Sequence, residues 1–260
     1  MNESSFIYYD FKRGRFLVND QKISVGSSFS TRLLLYSLLN TRKYSRGSLL
    51  DIGCGRKPYQ SLFQIENYTG IDYPSPKQKF SVEAFADAQA LPFSSHSFDT
   101  ILCTELLEHL RFPAKALSEI KRVLKPGGYV ILSAPFFHPH HEVPRDYFRF
   151  TFYGLNDLVN NCGLTTIEIY GRGGIGSVII DITSRLIASK LKALIRKFHL
   201  PLSLQNGLIR IVIQVPQRIA ATIVLNSINL KKNNNLLFSG PPAFSLGFTL
   251  VAQNSKDNKE

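Results

Sequence analysis

Leu49-Leu50-Asp51-Ile52-Gly53-Cys54-Gly55 is a short apolar run that turns directly into a glycine pair. A run this short suits a buried strand, and the glycines let the following turn bring its backbone close to a ligand. In open α/β sheets such a turn sits at the carboxyl end of a strand, where nucleotide-type ligands lie. The dinucleotide fingerprint asks for a third glycine three residues after the second, and Pro58 stands there. A pyrophosphate-cradling helix start is therefore disfavoured, and NAD and FAD become second choices.

Working outward, a helix-like piece (Tyr59 to Ile65) leads to a second short run ending Gly70-Ile71-Asp72. Asp72 follows Gly53 by nineteen residues, the placement of a carboxylate that accepts ribose hydroxyls at the end of a second strand. A further acid, Asp87, lies in Phe85-Ala86-Asp87-Ala88-Gln89-Ala90-Leu91-Pro92-Phe93. Phe98 to Thr104 reads as another buried strand. Pro113 to Leu124 reads as a helix with Pro at its first turn and Pro126-Gly127-Gly128 as its stop. Tyr129 to Ala134 is the next strand, 153–162 a helix stopped by Gly163, and Thr165 to Tyr170 one more strand. Strands alternating with helices in this way predict an open, mostly parallel α/β sheet. Before it, 29–39 has the spacing of a leader helix; after it, Phe244 to Ala252 returns to strand composition.

The residues together carry a family resemblance. DIGCG, the acid in GID, DAQALPF followed by SFD, ELLEHL and VLKPGGYVILSAPF resemble, in this order, the class I S-adenosylmethionine-dependent methyltransferases of the type 11 methyltransferase group. The likeness covers about Leu49 to Tyr170 and implies a Rossmann-like, seven-stranded, mostly parallel sheet with an antiparallel last strand near Phe244 to Ala252. It also implies S-adenosyl-L-methionine as cofactor. By position, Asp51, Gly53, Cys54 and Gly55 would line its methionine end and Asp72 its ribose. Asp87 and Ala88 would meet its adenine, and Thr104 and Glu105 would lie beside its sulfonium. The physical demand agrees, since a cationic sulfonium and ammonium favour carboxylates and carbonyls over a phosphate nest.

Methyl transfer is chiefly in-line positioning of a nucleophile, with a base only where the nucleophile must lose a proton. His138 and His141, in Phe137-His138-Pro139-His140-His141-Glu142, and Tyr147 are the catalytic candidates; His109, His140 and Arg149 are candidate acceptor contacts. The His run read as a polar loop, and Tyr147 and Arg149 read as a salt-bridged cap on the sheet, remain the alternatives. His-x-His-His with Glu142 offers metal-ligating groups, but a site needs three or four ligands converging in space, which adjacency does not guarantee, so no metal is expected.

The chain has 260 residues, 44% hydrophobic and 19% charged, a globular composition that excludes disorder and collagen-like repeats. Three scattered cysteines without a CxxC fit neither a disulfide framework nor a cysteine zinc site, and suit a reducing cytosol. The N-terminus lacks a signal-peptide layout, and no run of 18 uncharged apolar residues is present. Net charge is +12, and 172–232 hold ten Lys/Arg against the single acid Asp181. Within them, 175–198 read as a basic amphipathic helix and 208–230 as a second apolar piece broken by Pro216, segments that suit an anionic bilayer surface, an active-site lid or a homodimer face.

The expected organisation is an N-terminal segment with leader helix (1–46), a methyltransferase core (47–173), a basic amphipathic helical insertion (174–240), the last core strand (241–253) and a frayed tail (254–260). The expected activity is methylation of a hydroxyl, amine or carboxylate on a small or lipid- or glycan-linked acceptor, in the cytoplasm or at the inner face of its membrane. An RNA methyltransferase is the first rival; nucleic acid is not the expected partner, because the basic residues are interleaved with aliphatics and not with base-stacking aromatics. A cofactor-binding scaffold without turnover is the second.

Overall fold

The computed structural model describes residues 7–10, 15–18, 21–23, 28–74, 81–198 and 243–255, with six isolated positions between 204 and 216. Its centre is a seven-stranded sheet. In chain order the strands are β4 (Leu49–Ile52), β5 (Tyr68–Asp72), β6 (Ala84–Phe85), β7 (Phe98–Thr104), β8 (Leu124–Pro135), β9 (Thr165–Gly171) and β10 (Gly247–Gln253). Their spatial order is β6-β5-β4-β7-β8-β10-β9, parallel except for β10, which runs antiparallel between β8 and β9. A separate antiparallel meander of β1 (Ile7–Asp10), β2 (Arg15–Val18) and β3 (Gln21–Ile23) precedes it.

Alternation along the strands builds two apolar layers, because successive side chains point to opposite faces. Leu50, Ile101, Leu132 and Leu250 pack on one face with Leu117, Ile120, Val123, Leu155 and Val159 of α2 (Pro113–Val123) and α3 (Phe152–Asn161). Leu49, Leu102, Ile131 and Val251 pack on the other with Leu34, Leu35 and Leu38 of α1 (Phe29–Thr41). The helix starts follow local chemistry. The Ser28 hydroxyl accepts from the Thr31 N–H and the Thr151 hydroxyl from the Gly154 N–H, while Pro113 opens α2 where no intrahelical donor is needed. Gly163 ends α3 at φ +75°, a left-handed conformation glycine adopts freely.

Several sequence expectations are corrected. Tyr59 to Ile65 forms only the 3-10 turn Gln60–Leu62, because the chain must return at once to β5, where the Asn67 carbonyl accepts from the Leu49 N–H at 2.9 Å. Pro126-Gly127-Gly128 do follow the end of α2 at Val123, but they already lie within β8, which begins at Leu124 and not at Tyr129, at the irregularity between its pairings with Phe98 and Thr100. Asn254 is not frayed. Its side chain donates to the Leu124 carbonyl at 2.8 Å and its N–H to the Gly128 carbonyl at 3.0 Å; residues 256–260 lie outside the described residues.

The amphipathic helix of the insertion is α4 (Ile175–Lys197), and Val178 docks it against Phe29, Leu33 and Leu246. Ile179, Leu186, Ile187, Leu194 and Phe198 stay about half exposed. Nearly all of the second apolar piece at 208–230, and the rest of the insertion to 240, lie outside the described residues. Among the described residues no helix is long and apolar enough to cross a membrane.

Candidate active site

The turn after β4 folds back over the end of β5. Gly53 (φ +71°) and Cys54 both donate their N–H to the Ile71 carbonyl, at 2.9 and 3.0 Å, and Gly55 (φ +52°) donates to Asp72 Oδ2 at 2.9 Å. The glycine pair and the ribose candidate are thus one hydrogen-bonded unit. Among the described residues a Cβ on Gly55 would meet nothing within 4 Å, so they leave the space in front of this backbone open.

Asp51 is buried on β4. The Tyr68 hydroxyl donates to its Oδ2 at 2.5 Å, while its Oδ1 is buried without a hydrogen-bond partner among the described residues. Burial pushes its carboxyl up to about 7, and burial likewise pushes the Cys54 thiol up to about 12, which leaves that thiol unreactive at neutral pH. Asp87 accepts from the Gln89 N–H at 2.8 Å in a tight turn, with Ala88 buried beside it.

At the end of β7, Thr104 is half-buried and Glu105 takes a left-handed backbone (φ +49°). The Glu105 carboxylate is engaged: Oε1 accepts from Ser133 Oγ and from Arg172 Nη2, each at 2.8 Å. The place of Arg172 in the site, like that of Tyr68 beside Asp51, escaped the sequence reading, which counted Arg172 only among the basic residues of 172–232.

The histidine loop faces the 3-10 turn Leu107–His109. Tyr147 and Phe148 donate their N–H to the Glu108 carbonyl, at 2.8 and 3.3 Å, and His109 Nδ1 donates to the Arg145 carbonyl at 2.5 Å. The His141 ring lies between those of His109 and His138, at 4.7 and 4.6 Å between centroids. Glu108 is fully buried beneath them, 3.7 Å from both His109 Nε2 and His141 Nε2. Glu108 raises the His141 pKa, whereas burial, and then Arg185 of α4, lower that of His138. His140 is turned to solvent near Asp146. Tyr147 accepts from Arg111 Nε at 3.2 Å. Arg149 makes a bidentate pair with Asp146 (2.6 and 2.8 Å) and donates to the His138, Phe148 and Pro139 carbonyls, which makes it the clasp of this loop.

A cleft of about 370 Å³ at the carboxyl ends of the strands brings Gly53, Asp87 and Ala88 together with His109, Arg145 and Tyr147. Asp51, Asp72, Glu105, His138 and His141 are not among its walls. A larger hollow of about 800 Å³, lined by Arg42, Lys43, Arg46, Asp99 and Lys125, lies at the amino ends, away from where this architecture binds ligands.

A family profile, "Methyltransferase domain", matches residues 50–132. The chain is 42% identical over 151 residues to a demethylmenaquinone methyltransferase of Renibacterium salmoninarum, covering 54% of this chain and 63% of that protein. It is 33% identical over 107 residues to a ubiquinone biosynthesis O-methyltransferase of Nitrosococcus oceani, covering 41% and 39%. The chain thus spans less than two thirds of the length of these relatives. The [4+2]-cyclase SpnF has the same fold, with a TM-score of 0.50 at 17% identity over 87% of this chain and 82% of that one. Residues 50–132 thus match a methyltransferase domain, and the sheet that contains them has the fold of the solved structure.

Proposed function

We propose that the protein transfers the methyl group of S-adenosylmethionine to a heteroatom of a small or lipid- or glycan-linked acceptor. The observation that carries this is the carboxylate series along one sheet edge: Asp51 with a buried Oδ1 lacking a hydrogen-bond partner, Asp72 bonded to the glycine turn, and Asp87 in the cleft. A buried carboxylate oxygen without a donor fits an ammonium, and the open backbone at Gly55 leaves space for it.

In this reading Asp51 with Gly53 and Gly55 holds the cofactor's amino-acid end, Asp72 its ribose, and Asp87 with Ala88 its adenine. The bound cofactor supplies an electrophilic methyl on a sulfonium. Thr104 and Glu105 shape the wall beside it, with Arg172 neutralising Glu105 so that this side chain is a positioning residue. His138 is the better general base of the two histidines. Its lowered pKa keeps it neutral, and its Nδ1 donates to the Pro139 carbonyl at 2.8 Å, which leaves Nε2 free to take a proton.

Two relatives named for quinone biosynthesis favour an amphiphilic acceptor. The half-exposed aliphatic face of α4, set among basic residues, supports delivery from an anionic lipid surface. Flotation with anionic liposomes at low salt tests that part. Binding is expected, while its absence together with a dimer in sedimentation assigns the face to a second copy.

Calorimetric titration with S-adenosylmethionine and its demethylated product, alongside NAD, tests the main reading. Both sulfur compounds should bind, and Asp72→Ala should weaken both; preference for NAD, or no binding, overturns it.

A further inference from the structure

We propose that Glu108, His109 and His141 form a binding site for one divalent transition-metal ion of the zinc class. Glu108 is completely buried, and among the described residues neither carboxylate oxygen has a hydrogen-bond partner. A carboxylate so placed carries a large desolvation cost unless a cation neutralises it.

Two imidazoles face it, each with Nε2 at 3.7 Å from Oε1. That separation is too long for a hydrogen bond. It suits two ligands of one ion: zinc–nitrogen and zinc–oxygen bonds of about 2.1 Å at a tetrahedral angle set ligand atoms roughly 3.4 Å apart. The ligand atoms of all three residues lie within 4.8 Å of one another.

The other ring nitrogens fix which atoms face the carboxylate. His109 Nδ1 is bonded to the Arg145 carbonyl, which can only accept, so Nδ1 carries the hydrogen and Nε2 presents a lone pair. His141 Nδ1 lies 3.6 Å from Asp146 Oδ2. The carbonyl behind His109 is the outer-shell contact that orients a metal-binding imidazole, whereas His141 Nδ1 stands near the Asp146 carboxylate with no hydrogen-bond partner among the described residues. The two segments, 33 residues apart at His141 and Glu108, are tied by the Tyr147 and Phe148 bonds to the Glu108 carbonyl, and Arg149 fixes Asp146.

Two imidazoles and one carboxylate select zinc or a neighbouring first-row dication over calcium or magnesium, which prefer oxygen. Of the three ligands His109 alone lines the cleft, so an ion here would stand beside it, and an acceptor hydroxyl that reached the ion would become more acidic. Only this last point rests on the methyl-transfer reading; the site itself is tested without cofactor.

The full chain, stripped with chelator, is titrated with Zn²⁺ by calorimetry and with Co²⁺ by visible absorption. One ion per chain is expected, with the ligand-field bands of a four-coordinate nitrogen and oxygen site. Glu108→Gln, His109→Asn and His141→Asn should each weaken binding by about 100-fold or more. His96→Ala, in an exposed loop, should bind as the parent does. Where a variant fails to fold, the histidine ring-proton resonances of the parent chain give the readout: those of His109 and His141 should shift on Zn²⁺ addition, and those of His96 should not. Absence of one-to-one binding, or a folded variant of any of the three that binds undiminished, overturns the site.

Discussion

Arg172 Nη2 lies 2.8 Å from Glu105 Oε1 and 3.0 Å from the Ala134 carbonyl, so one guanidinium, 1% exposed, ties the ends of β7, β8 and β9 together. Gly247 is what admits it, since a Cβ there would stand 2.1 Å from the same nitrogen. Breaking a buried pair costs about 3–5 kcal/mol, and less here because Glu105 keeps some solvent contact. Arg172→Met should therefore lower unfolding free energy by about 2–3 kcal/mol in urea titrations. Gly247→Ala should also destabilise, by displacing the guanidinium; parent-like stability in both would show that the pair contributes nothing.

Gly55→Ala separates folding from cofactor binding. Its Cβ meets no atom of the described residues within 4 Å, so the expected stability loss is the left-handed backbone term, about 1 kcal/mol. The methyl group projects into the space assigned to the cofactor. Calorimetry should show S-adenosylmethionine affinity falling at least tenfold while the melting temperature moves by only a few degrees; unchanged affinity would place the cofactor elsewhere.

Asp51 gives a pH signature. Its folded value of about 7 exceeds the roughly 3.9 of an unfolded chain, so the native state holds the proton more tightly. Its contribution is whole below the unfolded value and is lost as pH rises through about 7. Between pH 5 and 8 the parent should lose more stability than Asp51→Asn. If the cofactor's ammonium rests on Asp51, binding expels that proton, and calorimetry near pH 7 in buffers of different ionisation heat should register proton release in the parent only.

Arg149→Lys tests the loop clasp. Lysine cannot reproduce a planar fork on Asp146 while also reaching three carbonyls. The Asp146 carboxyl, held far below the usual range by Arg149, should move back toward it. Stability contributed by this pair is present above the unfolded carboxylate range and is lost as pH falls through the folded value. A loss of about 1–2 kcal/mol at pH 7 is expected, with cofactor affinity unchanged and acceptor KM raised; a fall in cofactor affinity instead would tie this loop to the cofactor and not to the acceptor.

What the sequence disclosed and what it hid divide on locality. DIGCG and GID were legible because glycines at positive φ and a strand-end acid leave marks within a few residues. β10 was legible from composition alone. The two-residue edge strand β6 and the meander β1–β3 were missed, being too short or too polar to show a period. Glu108 with His141, and Arg172 with Glu105, meet only through the fold; adjacency in His138-Pro139-His140-His141 pointed to a cluster whose most exposed member, His140, faces away from Glu108.

The chain leaves the sheet at Arg172 and returns at Leu246, and these two points are hydrogen-bonded neighbours: Arg172 N–H donates to the Gly247 carbonyl at 2.8 Å and Leu246 N–H to the Arg172 carbonyl at 3.1 Å. From the sheet's side, everything between them is the loop of a hairpin. Closing such a loop costs free energy that grows only with the logarithm of its length, about 0.6 kcal/mol per doubling. By this closure term alone the sheet tolerates a shorter or longer segment here, so that what the protein meets through it can change separately from the strands that carry the cleft.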